Sequence, residues 1–117
     1  MMGWRLAGIA LSLGLGLTLG LAPDKQSLAD DGGHVLVLQD HRFEPAQLEI
    51  PAGQKVTLTI TNRDAVTEEF DSPELHREKL IMPGATVSVT IGPMDPGTYH
   101  FIGEFHADTA HGVLIAK

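Results

Sequence analysis

The 117-residue sequence contains no cysteine. Disulfide bonds, thiolate metal ligands and a cysteine nucleophile are therefore all excluded. Aromatic residues are also scarce: Trp4 is the single tryptophan and Tyr99 the single tyrosine. We find no obvious aromatic relay that would carry electrons to an acceptor. A domain without disulfides has to rely on the packing of its sheets.

Positively charged residues are also few. Eight Lys and Arg residues face 15 Asp and Glu residues, a formal net charge of −7. Residues 30–117 keep 14 of these carboxylates and six of the basic residues, so their net charge is about −8. This balance argues against binding to nucleic acid or to anionic membranes, and it suits a cation or a basic partner. Neither a Ser-His-Asp arrangement nor a phosphate-binding loop is present, so the sequence gives hydrolase chemistry no support.

The first 29 residues have the pattern of a secretory signal peptide. Arg5 precedes an apolar run over 6–21, and small residues flank a peptidase site in Ser27-Leu28-Ala29. We expect cleavage after Ala29, which leaves a periplasmic or secreted domain over 30–117 with no stable membrane insertion. The alternative is an uncleaved N-terminal anchor, although the apolar run is short for a bilayer span of about 20 residues.

The remainder of the chain alternates apolar and polar residues with period two. The segments 56–60 and 87–91 show this most clearly, and turn signals such as Asp95-Pro96-Gly97 separate the apolar runs. We predict an all-β Greek-key β-sandwich with a tyrosine corner at Tyr99. The segment 73–80 is predicted to be a loop with one helical turn. The predicted inward side chains are Val56, Leu58, Ile60, Val87, Val89, Ile91, Tyr99 and Phe101.

Two segments resemble the ligand-bearing segments of cupredoxins. Residues 97–115 read as a strand, a polar loop and a strand, as in the last cupredoxin hairpin, and 61–70 resembles the stretch that supplies the first histidine ligand. The resemblance covers about 35–117 and implies a cupredoxin-like sandwich. It places Glu68 at the first histidine position, Gly103 at the cysteine position, His106 at the second histidine position, and Ala110 or His111 near the methionine position.

Glu68 in place of the first histidine and Gly103 in place of the cysteine exclude a blue-copper centre, because such a centre needs a thiolate and two imidazoles. A carboxylate and imidazole set suits copper(II), iron, manganese or zinc instead. We therefore predict a divalent metal site, with copper or iron as the metal. Its ligands are predicted to be Glu68, Glu104, His106 and His111.

Three of these four residues also have a simpler interpretation. Glu68 would belong to a solvated acidic loop edge, His106 would bond a backbone carbonyl, and His111 would be an exposed residue without a role.

A narrower resemblance concerns the strings around 68–72, 77–79 and 103–110. They are similar to small cysteine-free cupredoxin-like proteins of bacterial periplasmic iron-uptake systems. This likeness implies two partners, a membrane iron permease and a periplasmic metal-binding protein. The residues alone show only an acidic sandwich with a Glu/His cluster.

Three functions remain open from the sequence. The first is a metal-binding accessory protein that assists iron, or copper-linked iron, uptake. The second is a metal-free module that docks a membrane iron permease, and the third is a small ferrous-iron oxidase-like domain. No catalytic residue is predicted, and whether the chain is an enzyme is left open. Convergence of the loop carboxylates and imidazoles would favour the first function over the second.

Overall fold

A computed structural model describes residues 33–117. The predicted signal peptide, 1–29, lies outside the described residues. Within 33–117 no helix has the length and apolar character needed to cross a bilayer. The described part of the chain contains nine strands: β1 (Val35–Gln39), β2 (Arg42–Glu44), β3 (Gln47–Ile50), β4 (Val56–Asn62), β5 (Glu68–Ser72), β6 (Arg77–Ile81), β7 (Thr86–Ile91), β8 (Gly97–Gly103) and β9 (His111–Ala116).

The strands form two sheets. One sheet has the order β2-β1-β4-β7 and the other the order β3-β9-β8-β5-β6. The pairs β1–β4 and β3–β9 are parallel, whereas the other pairs are antiparallel. Strands β4 and β7, like β5 and β8, are neighbours in space but not in sequence, so the chain crosses between the sheets. The predicted all-β Greek-key sandwich is confirmed.

The core lies between the sheets and follows the period-two pattern. In β4 every second side chain is buried, and Leu58 and Ile60 have no exposed surface. Phe43 packs edge-on against Phe101, with ring centroids 5.1 Å apart. Six of the eight predicted inward residues are buried, and the other two, Val87 and Tyr99, are half-buried and pack against the core. Alternation places all of these side chains on one face of their strands.

The predicted tyrosine corner is also present. The Tyr99 hydroxyl donates a hydrogen bond to the carbonyl oxygen of Asp95 at 2.8 Å. This bond ties the start of β8 to the loop that precedes it.

Segment 73–80 differs from its prediction. A turn covers only its first half, where the amides of Leu75 and His76 donate to the carbonyls of Ser72 and Pro73. From Arg77 the chain is extended as β6, an edge strand in which only Ile81 is buried. A strand with so little burial carries no apolar alternation, so its sequence gives no period-two signal.

Candidate metal centre

Four connections meet at one end of the sandwich, which we call the site end: the β1–β2 turn and the segments 63–67, 82–85 and 104–110. The buried Asn62 joins two of these connections, because its side-chain amide donates to the carbonyl oxygens of Val66 and Ile81, at 2.9 and 3.0 Å. Its side-chain oxygen also accepts from the Asp64 amide at 2.9 Å. One buried side chain thus fixes the path of the chain into β5.

Asp64 in turn fixes the β1–β2 turn. Asp40 and His41 both have positive φ angles, 55° and 59°. Non-glycine residues adopt this conformation at an energetic cost. The Asp64 carboxylate accepts hydrogen bonds from both of their amides, at 2.7 and 2.9 Å. These bonds offset the cost and set the position of the His41 side chain.

The ring of His41 stacks on the ring of His106. Their centroids are 3.7 Å apart and their planes are inclined by 15°. His106 closes a short 3-10 turn, Glu104–His106, directly after β8. The sequence analysis did not include His41 in the site. Nothing in the local pattern marks it, because the contact depends on the folded proximity of the first turn and the last loop.

Glu68 lies at the centre of the site end. It opens β5 on the inward face and is 1% exposed. Its Oε2 lies 2.7 Å from His106 Nδ1. Its Oε1 accepts from the amides of Phe105, at 2.7 Å, and of Glu69, at 3.0 Å. Two backbone amides and one imidazole nitrogen therefore surround this buried side chain, as burial of a polar group requires.

Gly103 and Ala110 complete the surroundings of Glu68. A Cβ atom placed on Gly103 would lie 2.8 Å from Glu68 Cδ and 2.8 Å from the Cβ of Ala110. Ala110 is fully buried, and its carbonyl accepts from the Gly103 amide at 2.8 Å. The methionine position of the resemblance thus corresponds to Ala110, because His111 is exposed and lies on the other face of β9.

The four positions at which cupredoxins carry their ligands therefore meet around the Glu68 carboxylate. A blue-copper ion does not fit these residues. Gly103 and Ala110 offer no sulfur, and the only imidazole among them, that of His106, already bonds Glu68 through Nδ1. The Cβ atom of a cysteine at 103 would also lie only 2.8 Å from Glu68 Cδ.

The structure brings together two of the four predicted metal ligands, Glu68 and His106. Glu104 is exposed, and His111 is exposed on the outer face. Among residues 33–117, no group of three or more His, Asp or Glu side chains is placed to hold a metal ion. The four-ligand site remains a prediction from the sequence.

Glu104 belongs instead to an acidic face, which we define as Glu69, Asp71, Glu78 and Glu104. Partial loss of hydration, followed by the charge and hydrogen bond of Asp71 and the charge of Glu78, raises the pKa of Glu104. Partial loss of hydration and the neighbouring carboxylates, with Glu78 foremost, raise the pKa of Glu69. The four carboxylates therefore repel one another at neutral pH.

Solved structures with similar folds include copper proteins. Auracyanin A, a "blue" copper protein from Chloroflexus aurantiacus, is 20% identical, with a TM-score of 0.62 over 71% of this chain and 96% of its own. The purple cupredoxin of Nitrosopumilus maritimus is 20% identical, with a TM-score of 0.58 over 72% and 99%. A chain from a heme-copper terminal oxidase dimer is 19% identical, with a TM-score of 0.61 over 71% and 63%. At these identities the likeness shows the fold.

A relative with closer sequence is known from Rickettsia prowazekii (strain Madrid E). The uncharacterized protein RP394 is 42% identical over 82 residues, which are 70% of this chain and 66% of the relative. The chain thus spans just under two thirds of that relative's length. The sequence profile of the cupredoxin-like domain matches residues 11–116. The chain therefore belongs to the cupredoxin-like domain family.

Proposed function

We propose that this chain is an exported cupredoxin-like module that docks a partner protein with its site end and does not carry electrons on copper. The observation that carries the proposal is the apolar surface around the Glu68–His106 pair. Blue copper has no ligand set here, so the end that cupredoxins use for the metal is left with a recognition role.

Four of the five large apolar side chains that are exposed within 33–117 lie in or next to the connections of the site end. Met82 is the most exposed, at 58%, and Phe105 is 51% exposed. The Phe105 amide bonds the Glu68 carboxylate, and Met82 follows Ile81, the residue that pairs with Glu68. Exposed apolar groups that cluster on a small domain are typical of interaction surfaces. We define the apolar rim as Val66, Leu80, Met82 and Phe105.

The acidic face adjoins the apolar rim, because Glu69 pairs with Leu80 and Glu104 directly precedes Phe105. A partner of complementary charge would present an apolar patch beside basic residues. The resemblance to cysteine-free proteins of iron-uptake systems supports a membrane iron permease as this partner, and the N-terminal pattern supports the periplasm as the compartment.

The test measures binding of the exported chain to the iron permease of the same genome, reconstituted in nanodiscs. Replacing both Met82 and Phe105 with serine is expected to weaken binding at least tenfold, because apolar contact area is lost on two exposed side chains. Val35→Ser is the matched control, since Val35 is 42% exposed at the opposite end of β1. Equal loss in both variants, or no binding by the parent chain, contradicts the proposal.

Metal capture is a second candidate, favoured by one contact. The carboxylate of Glu68 and the imidazole of His106 meet at 2.7 Å, as two ligands of one ion must approach each other. In this candidate Glu68, Glu104, His106 and His111 bind a divalent copper or iron ion.

Calorimetric titration with Cu(II) and with anaerobic Fe(II) tests metal capture. Affinity should fall strongly in His106→Ala and Glu104→Gln, and little in the controls His34→Ala and His76→Ala. Unchanged affinity in His106→Ala removes this candidate and leaves docking.

A further inference from the structure

The Glu68 carboxylate has its hydrogen-bonding positions filled from within the chain. Two backbone amides donate to Oε1, and the His106 ring approaches Oε2. An ionised carboxylate only accepts hydrogen bonds, so we assign the proton of the Oε2 contact to His106 Nδ1. A metal binds an imidazole nitrogen through its lone pair, and that lone pair is not available on a protonated Nδ1.

Gly103 is adapted to the carboxylate rather than to a special backbone conformation. Its φ of −94° and ψ of 110° are angles that any residue adopts without strain. What excludes a side chain is space, because a Cβ would lie 2.9 Å from Glu68 Oε2 and 2.8 Å from Glu68 Cδ. The carboxylate of Glu68 thus occupies the space that a side chain on residue 103 would need.

We infer that Glu68 is a built-in replacement for the metal ion. Its carboxylate fills the space between positions 103, 106 and 110, binds the imidazole nitrogen that faces this space, and links β5 to the loop after β8 without an ion. Glu68 is accordingly a positioning residue, since it holds the loop that carries Phe105 and His106. The inference stands apart from docking, because it would hold whether or not the apolar rim has a partner.

A double-mutant cycle tests the spatial part of the inference. Ala110→Gly serves as the common background, because it removes the second contact that a Cβ at 103 would make. In this background Gly103→Ala should lower Tm by at least about 4 °C more when Glu68 is present than when Glu68→Gly is combined with it. An equal loss of Tm with and without Glu68→Gly overturns the inference.

A Cu(II) titration tests the chemical part with a variant of the same side-chain size. Glu68→Gln keeps the size of the side chain and an oxygen that accepts from the Phe105 amide. A built-in replacement predicts that the parent chain and Glu68→Gln bind Cu(II) equally weakly, within about threefold. A metal ligand at this position predicts one tight equivalent in the parent chain and a loss of at least tenfold in Glu68→Gln, as removal of a group that binds the ion would cause. That second result overturns the inference and supports metal capture.

A resonance of the His106 Nδ1 proton provides an independent readout. In the parent chain it should be observed in slow exchange with water at pH 7 and stay unchanged on addition of one equivalent of Zn(II). It should disappear in Glu68→Ala, where the acceptor is lost. Its displacement by Zn(II) in the parent chain contradicts the inference.

Discussion

The contact between His106 and Glu68 joins the edge of an imidazole ring to a buried carboxylate. His41 stacks on a face of the same ring. Glu68 is 1% exposed at its side chain and His106 is 26% exposed. Glu68 is buried and His106 is partly buried, so the loss of hydration offsets much of what their contact contributes. Its larger effect is expected when His106 is removed, because Glu68 Oε2 then remains buried without a hydrogen-bond partner.

His106→Ala should therefore destabilise the domain by about 1–3 kcal/mol, the usual cost of leaving one buried polar group unsatisfied. The stacking of His41 is lost at the same time. The matched control is His111→Ala, an exposed histidine on the outer face of β9. Urea unfolding at pH 7 measures both variants, and similar stabilities for the two would show that the Glu68 contact contributes nothing.

At the scale of elements, β8 joins the core to the site end. Phe101 in its middle is 1% exposed and packs against Phe43 and Phe70. Two residues later the strand ends at Gly103, against Glu68. The same strand thus supports the three-phenylalanine cluster and sets the position of the loop that carries His106.

Phe101→Ala should cost roughly 3–5 kcal/mol in free energy of unfolding, because it removes a large buried ring and leaves a cavity. Phe105→Ala is the matched control, since that ring is 51% exposed and its loss leaves no cavity. Denaturant melts of the two variants provide the comparison. A loss below about 1 kcal/mol in Phe101→Ala would place this ring outside the core.

The strands also differ in how clearly their sequences predict them. Apolar and polar residues alternate over 56–61 in β4 and 86–91 in β7, so the existence and inward faces of these strands are predicted correctly. β6 is missed because it lies at a sheet edge with four exposed residues. Charged side chains such as Lys79 on an edge strand oppose pairing with a further strand, and they also remove the apolar signal.

For the whole molecule, the dominant feature is an excess of negative charge that the fold gathers unevenly. Glu69, Asp71, Glu78 and Glu104 form the acidic face, whereas Glu74 lies beside His100. The His100 amide donates to Glu74, and Nδ1 of the His100 ring lies 3.3 Å from the same carboxylate oxygen. The amide bond is the main cause that lowers the pKa of this carboxyl group. Two exposed glutamates of one domain thus have pKa values shifted in opposite directions.

Opposite pH effects follow from these shifts. A raised pKa means that the folded state favours the protonated Glu104, so the contribution of this group to stability is lost as pH rises through its folded-state pKa. Glu104→Gln should therefore stabilise the domain at pH 7. A lowered pKa means that Glu74 stabilises the folded state above the unfolded pKa of about 4.3, and this contribution is lost as pH falls through the folded value. Glu74→Gln should therefore destabilise the domain at pH 7.

Urea midpoints of both variants relative to the parent chain, at pH 7 and at about pH 3, measure these effects. Both differences should shrink at the acid pH, and the gain in Glu104→Gln should shrink at high salt, because salt screens exposed charges. The same sign for both variants at pH 7 contradicts the assignment of the acidic face.

The sequence by itself determined the class of fold and the absence of a blue-copper centre. Both are local properties: period two in β4 and β7 specifies strands with one buried face, and a chain without cysteine supplies no thiolate. Glu68 and His106 were also found from local patterns, because each stands where a ligand-bearing segment of the family places one.

Only the tertiary structure decided what these two residues contact. The register of β5 against β8 pairs Gly103 with Phe70, and the carboxylate of Glu68, on the same face of β5, lies against Gly103. The β1–β2 turn brings His41 onto His106, across 65 positions of sequence. The same folding leaves Glu104 and His111 at the surface, because alternate residues of a strand face opposite sides and the loop turns Glu104 toward Asp71. Proximity between residues that are distant in sequence arises from sheet pairing, and no local pattern records it.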